Sequence, residues 1–149
     1  HMKTIEREMK ELIAADSNIC RNYKLLTSIK GVGPITAIVM LCSTLNFTKI
    51  TDHRKFACYC GLAPFEHSSG TSVRGGCHTS SMANRDIKVQ LNRSALIAIR
   101  CDPQLKAYYE RKVAEGKHKF SVLNAVRAKI AARCFAIVRR GTPYVALQI

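Results

Sequence analysis

The apolar positions of this chain recur mostly at three- and four-residue intervals, the spacing that gathers side chains on one face of an α-helix. From Lys3 to about Ile29, good helix formers carry Ile5, Met9, Leu12, Ile13 and Ile19 at such intervals, predicting one long helix or two with a single apolar stripe. Pro34, with its fixed φ and missing N–H, suits the first position of a helix running through Ile38, Val39, Leu41 and Cys42. Asp52 is placed to cap a third helix, through Phe56 and Tyr59, that Gly61 ends. Periodicity returns from about Arg85 to Arg100, where Ile87, Leu91, Ala95, Ile97 and Ala98 are available for burial. Asp102-Pro103 then supplies a cap and a first-turn proline for a helix through Leu105, Tyr108, Tyr109 and Val113, terminated by Gly116. A last helix from about Phe120 to Arg140 has a broad apolar face of Val122, Leu123, Val126, Ile130, Phe135, Ile137 and Val138, and Gly141 stops it.

Between Gly61 and Asn84 the periodicity disappears among Gly70, Gly75, Gly76 and seven Ser/Thr residues from Ser68 to Ser81. This stretch reads as a long loop, or a loop with a short hairpin. Stretches of more than about 12–15 residues without structure of their own inside a domain are functional segments or linkers. With so little alternating-strand signal elsewhere, the fold class expected is all-α: a multi-helix domain with a long Gly/Ser-rich loop.

Charge narrows the choice of partner. The 149 residues carry 24 Lys+Arg against 10 Asp+Glu, a net +14. Nine basic residues face six acidic ones up to Gly70, and fifteen face four after it, so the halves carry +3 and +11. A localised excess of that size favours a polyanion, nucleic acid ahead of an acidic membrane surface. No apolar run approaches the roughly 20 residues that span a bilayer, and no signal peptide opens the chain. The expectation is a soluble, cytoplasmic protein with no membrane partner. Seven cysteines scattered among helical segments suit a reducing compartment. His1-Met2 ahead of Lys3 reads as a cloning remnant, which makes the chain an excised piece of a longer protein.

The sharpest local motif is Ile29-Lys30-Gly31-Val32-Gly33-Pro34-Ile35-Thr36-Ala37. Apolar, any, Gly, apolar, Gly, then a helix start with a small residue is the pattern of a helix-hairpin-helix. Gly31 and Gly33 permit the tight turn and bring backbone N–H groups near a phosphate, and the helix N-terminus adds positive potential. Such a contact holds a nucleic-acid backbone without reading bases. An ordinary αα-hairpin needing two glycines is the plainer reading. In the Ser/Gly loop, a serine hydroxyl flanked by glycine is a potential nucleophile toward a phosphodiester, with Arg74 placed to stabilise developing charge. Alone, that signal is weak. Cys58-x-Cys60 with Cys77-His78 invites a zinc site, but helix residues two apart diverge by about 200°, so small buried residues are favoured and no metal is assigned. Lys106, Arg111, Lys112, Lys117 and Lys119, beside Tyr108 and Tyr109, read either as a backbone-tracking patch or as the solvated face of a helix hairpin.

Taken in order, four blocks resemble a known family. They are Leu26–Ala37, Phe56-Ala57-Cys58-Tyr59-Cys60-Gly61-Leu62-Ala63-Pro64, Ser69-Gly70-Thr71-Ser72-Val73-Arg74-Gly75, and Asp102-Pro103-Gln104-Leu105-Lys106-Ala107-Tyr108-Tyr109. Over residues 25–145 the chain is similar to the C-terminal domain of the RNA-guided insertion-sequence transposases, a family that includes the pilin-gene inverting recombinase. The resemblance implies residues 1–24 as a tag remnant plus the end of a helical linker, and 25–149 as the transposase C-terminal domain. It further implies a missing N-terminal RuvC-like domain whose acidic residues hold Mg²⁺, a guide RNA, a DNA target, a homo-oligomeric assembly and a nucleoid-associated bacterial location. No cofactor is expected in the chain itself. In this family the second domain supplies a serine that links covalently to DNA, and aligning the Ser-Gly-x-Ser-x-Arg-Gly block places it at Ser69, with Ser68 and Ser72 as competing assignments.

Two departures from the family pattern stand out. Cys58 and Cys60 occupy positions where relatives carry small residues, and Ser80-Ser81-Met82-Ala83-Asn84 replaces a Ser-Lys-x-Gly-Asn-like segment. Arg85 and Lys88 are the nearest replacements for the basic contact there. The expected function is DNA strand cleavage and exchange through Ser69, with Gly31, Gly33, Arg74, Arg85, Lys88, Lys117 and Lys119 contacting nucleic acid. The isolated chain is expected to bind but not to cleave. The alternative is a non-catalytic helix-hairpin-helix module that binds DNA or RNA, of the repair or junction-binding type.

Overall fold

A computed structural model describes residues 1–62 and 84–146, together with the backbone of 68–69 and 73–74. Its elements are α1 (Met2–Ala15), α2 (Ser17–Thr27), α3 (Pro34–Thr44), α4 (His53–Tyr59), β1 (Ser68–Ser69), β2 (Val73–Arg74), α5 (Arg85–Cys101), α6 (Pro103–Ala114) and α7 (Lys119–Arg140). The all-α expectation holds. The two short strands pair only with each other, antiparallel, Ser68 opposite Arg74 and Ser69 opposite Val73.

Helix ends follow local chemistry. Asp52 caps α4 by accepting from Arg54 N, Asn84 caps α5 through Asp86 N and Ile87 N, and Asp102 caps α6 through Leu105 N. Pro34 and Pro103 open their helices, and Gly141 closes α7 in the left-handed region. The first segment is two helices because Asp16 is extended, and its carboxylate accepts from Asn18 N at 2.9 Å and Ile19 N at 3.0 Å to start α2.

The core is built on α7, against which α2, α4, α5 and α6 pack, with α3 closing over α2 and α5. Leu26, Met40, Phe56, Leu91, Leu105 and Ile130 are fully buried. Each such side chain contributes roughly 1.5–3 kcal/mol of burial. Phe135 joins two parts of the core, meeting Phe47 edge-on at 4.9 Å and Phe56 tilted at 5.4 Å. To reach Phe135, the chain after α3 takes three left-handed residues in succession, Leu45, Asn46 and Phe47.

Some apolar positions read from the sequence are not core. No residue of α1 is buried, and Ile5 and Leu12 are 51% and 72% exposed, because α1 packs on only one edge of α2. On α5 the buried line is Ile87, Leu91, Ser94, Ala95 and Ala98, which leaves Ile97, about 100° around the helix from Ala98, on the outer face. α2 carries buried residues on both sides of the expected 24/25 division, Asn22 before it and Leu25 and Leu26 after it. Among the described residues no helix is long and apolar enough to cross a membrane.

Candidate nucleic-acid interface

The residues singled out from the sequence fall into two zones along α5. The first is the turn joining α2 to α3. Gly31 has φ +93°, and a Cβ there would stand 2.7 Å from the Ser94 carbonyl oxygen and 2.8 Å from Ala98 Cβ. Its glycine is therefore required twice, by the left-handed backbone and by the close approach of the turn to α5. The buried hydroxyls of Thr36 and Ser94, 2.9 Å apart, bind α3 to α5 just beside it. Gly33 has no such neighbour: nothing lies within 4 Å of a Cβ built on it. It is the N-cap of α3, no side chain caps that helix, and Pro34 and Ile35 are exposed. Pro34 has no N–H, Thr36 is buried and Ala37 N donates to Gly33 O, which leaves exposed Ile35 as the first-turn donor at the positive end of the helix dipole.

The second zone is where the chain leaves α4 and re-enters at α5. Asn84 N donates to Tyr59 O at 3.1 Å, so departure and return meet at one hydrogen bond. Lys88 Nζ donates to Gly61 O at 3.1 Å, and Asn124 Nδ2 donates to Leu62 O at 2.9 Å. Arg127, one turn along α7 from Asn124, adds a second cation. Burial, and then the charge of Arg127, lower the pKa of Lys88 from its ordinary value, and burial lowers that of Arg127. Among the described residues, neither Arg127 Nε nor Asn124 Oδ1, both buried, has a hydrogen-bond partner. Lys88 and Arg127 therefore concentrate positive charge where the chain leaves α4.

Arg85 is exposed in the first turn of α5, and Lys117 and Lys119 are exposed at the α6–α7 turn. Lys119 stands five residues before Asn124 on α7, about 8 Å along the axis, so these cations share the end of the bundle that holds Lys88 and Arg127. Gly31 and Gly33 do not join them. The Ser94 and Ala98 contacts of the hairpin lie six to ten residues beyond Lys88, about 9–15 Å along α5.

At Ser69 and Arg74 only the backbone is described, in the register given above. Ser72, Cys77 and His78 lie outside the described residues. Asn124 and Arg127 were not read from the sequence as site residues. The available signal was the interruption of the apolar face of α7, between Leu123 and Ile130, by polar groups on its inner side. Cys58 is exposed and Cys60 fully buried, with burial pushing the Cys60 thiol up to about 12. Among the described residues no three His, Cys, Asp or Glu side chains come close enough to hold a metal ion.

Residues 23–110 match the family model described as Transposase IS116/IS110/IS902 family. The chain is 39% identical over 121 residues to the 43.6 kDa protein of insertion element IS110 from Streptomyces coelicolor, covering 80% of this chain and 29% of that protein. It is 23% identical over 141 residues to the pilin gene-inverting protein of Moraxella bovis, covering 94% of this chain and 44% of the relative. It is also 28% identical to the 42 kDa protein of insertion element IS900 from Mycobacterium paratuberculosis, covering 85% of this chain and 35% of the relative. The chain spans less than half the length of each of these relatives. The matched stretch takes in the glycine hairpin on α5, the Ser/Gly segment and most of α6, and the chain belongs to the IS116/IS110/IS902 transposase family.

Proposed function

We propose that this chain is the domain of a DNA transposase or recombinase that holds nucleic acid and supplies the serine nucleophile. The observation that carries the reading is the family match, whose span includes the hairpin and the serine segment together. The outward N-terminus of α3 supports a helix-hairpin-helix contact to backbone phosphates through Gly31-Val32-Gly33, and the Lys88/Arg127 cluster supports a phosphate beside the serine segment. Arg74, Arg85, Lys117 and Lys119 complete the phosphate contacts in this reading.

In the proposed reaction Ser69 Oγ attacks the scissile phosphorus and forms a phosphoserine ester. The P–O bond to the departing strand breaks, and that strand's sugar hydroxyl receives the proton. Attack by the hydroxyl of the incoming strand reverses the step, releases the serine and leaves a recombined phosphodiester. The cations of this chain hold the phosphate and offset the charge of the five-coordinate transition state. In the same reading Mg²⁺ is held by a RuvC-like domain of the longer protein, which also works with a guide RNA and as an oligomeric assembly.

The test is a comparison of Ser69→Ala, Ser68→Ala and Ser72→Ala in the full-length protein, reading the covalent protein–DNA adduct. Only Ser69→Ala is expected to abolish it, and an adduct that survives Ser69→Ala overturns the assignment. The strand register, which puts Ser68 rather than Ser69 opposite Arg74, makes Ser68 the informative comparison. The isolated 149-residue chain is expected to bind DNA without cleaving it. A second reading, a binding module alone, is favoured by the uncapped α3 N-terminus, and a trapped phosphoserine–DNA adduct excludes it.

A further inference from the structure

A basic groove runs between α6 and α7. It is an open trough of about 600 Å³, within the range of about 300–1,000 Å³ that ligand sites occupy. Ala107 on α6 and Ala132 on α7 line it, and their short side chains leave the space between the helices open. Arg111, Lys129 and Arg133 border it, with the half-buried ring of Tyr108 between them.

The charge arrangement distinguishes this groove from the rest of α6. Away from the groove, Lys112 meets Glu115 at 2.8 Å and is matched within its own helix, while Lys106 reaches Glu110 only at 3.9 Å on the exposed surface. The groove cations are held in other ways. Lys129 Nζ sits 4.5 Å from the centre of the Tyr108 ring and Arg111 Cζ 5.8 Å from it, contacts that position a cation without neutralising it. Among the described residues no carboxylate lies within 4.0 Å of Lys129. Arg111 reaches Glu115 only at 3.9 Å and at the exposed surface, where salt screens the pair. Arg133 is fixed in orientation by Asp102 and Gln104. One buried carboxylate and one distant surface carboxylate therefore oppose three cations.

We propose that the α6–α7 groove binds a segment of single-stranded nucleic acid, its phosphates against Arg111, Lys129 and Arg133 and its sugars and bases over Ala107, Ala132 and Tyr108. A narrow positive trough with an aromatic wall follows a single backbone, whereas a duplex meets only its rim. The inference rests on the nucleic-acid reading above and adds to it a second site, built from residues other than Ser69 and the hairpin. DNA and RNA strands share the chemistry used here, and the measurement separates them.

Labelled oligo-dT and oligo-U of twelve nucleotides and a short DNA duplex are titrated by fluorescence anisotropy against the chain and three variants, at 0.15 M salt. Lys129→Glu and Ala107→Gln are exposed substitutions that reverse a groove charge and fill the trough without a charge change. Lys10→Glu, on exposed α1, controls for net charge. Loss of one phosphate contact with charge reversal is expected to weaken single-strand binding about tenfold in Lys129→Glu. Ala107→Gln should weaken it severalfold, and the Lys10→Glu and duplex affinities should change less than twofold. The tighter of the oligo-dT and oligo-U arms names the strand. If Lys129→Glu does no more than Lys10→Glu, or weakens duplex and single strand equally, the groove site is overturned while the nucleic-acid reading stands. If the unaltered chain binds none of the three probes, both fall together.

Discussion

Arg133 donates through Nη1 to Asp102 Oδ2 at 2.8 Å, and this ion pair is the point where three remote parts of the chain are tied. Asp102 is 1% exposed and also accepts from Leu105 N at 3.0 Å and the Tyr144 hydroxyl at 3.0 Å. Tyr144 N in turn donates to Ser28 Oγ at 2.8 Å, which brings the segment after α7 back to the end of α2. Removing one member of a buried pair leaves the other charge uncompensated. Asp102→Ala is expected to cost about 3–5 kcal/mol and Asp102→Asn, which keeps the cap to Leu105, about 2 kcal/mol. Urea denaturation of the chain measures both, and an Asp102→Asn variant as stable as the unaltered chain would show that the charge has no part in the node.

The same carboxylate sets a pH dependence. Burial raises the pKa of Asp102, but the Leu105 N–H, the Arg133 guanidinium and the Tyr144 hydroxyl outweigh burial and hold it below the usual carboxylate range. Since the folded pKa lies below the unfolded one, the stability it supplies is complete above the unfolded value of about 4 and is lost as pH falls through the folded value. Melting curves between pH 7 and pH 2.5 should therefore fall more steeply below pH 4 for the unaltered chain than for Asp102→Asn. Parallel curves would remove Asp102 from the acid response.

The two hairpin glycines are expected to respond in opposite ways. Gly31→Ala forces a Cβ against the Ser94 carbonyl in a left-handed backbone and should destabilise the fold by about 2 kcal/mol or more. Gly33→Asp enters open space at a helix N-cap, where it should stabilise by a few tenths of a kcal/mol while placing a negative charge where a phosphate is proposed. A more stable protein with weaker DNA binding is the expected pairing. Unchanged binding in Gly33→Asp would detach the hairpin from nucleic acid.

The cysteines provide a check on the packing. Burial holds the thiols of Cys60 and Cys134 up at about 12, whereas Cys42, Cys58 and Cys101 are exposed. Iodoacetamide at pH 8 followed by peptide mass mapping should modify Cys42, Cys58 and Cys101 in the native chain and reach Cys60 and Cys134 only in denaturant. Equal native labelling of Cys58 and Cys60 would contradict the burial of α4.

What was legible in the sequence was local. Asp52, Pro34, Pro103 and Gly141 mark helix ends through their own backbone chemistry, and each stands where expected. The Ile5–Leu12 stripe was legible as a face but not as an exposed one, because periodicity reports that a face exists and not what covers it. Asp102 read as a cap, and it is one. Its second oxygen, however, meets Arg133 and Tyr144, 31 and 42 residues away, and no short-range pattern announces partners at that separation. Arg127 was similarly hidden, counted as one charge among many until the fold turned it inward beside Lys88.

The hydrogen bond from Asn84 N to Tyr59 O brings the end of α4 against the start of α5. Because the ends of the connection meet there, a change in its length alters the closure entropy only slightly, by about 0.6 kcal/mol for each doubling. If the proposed serine chemistry holds, a mobile element can vary that connection while inheriting the helical scaffold on either side of it.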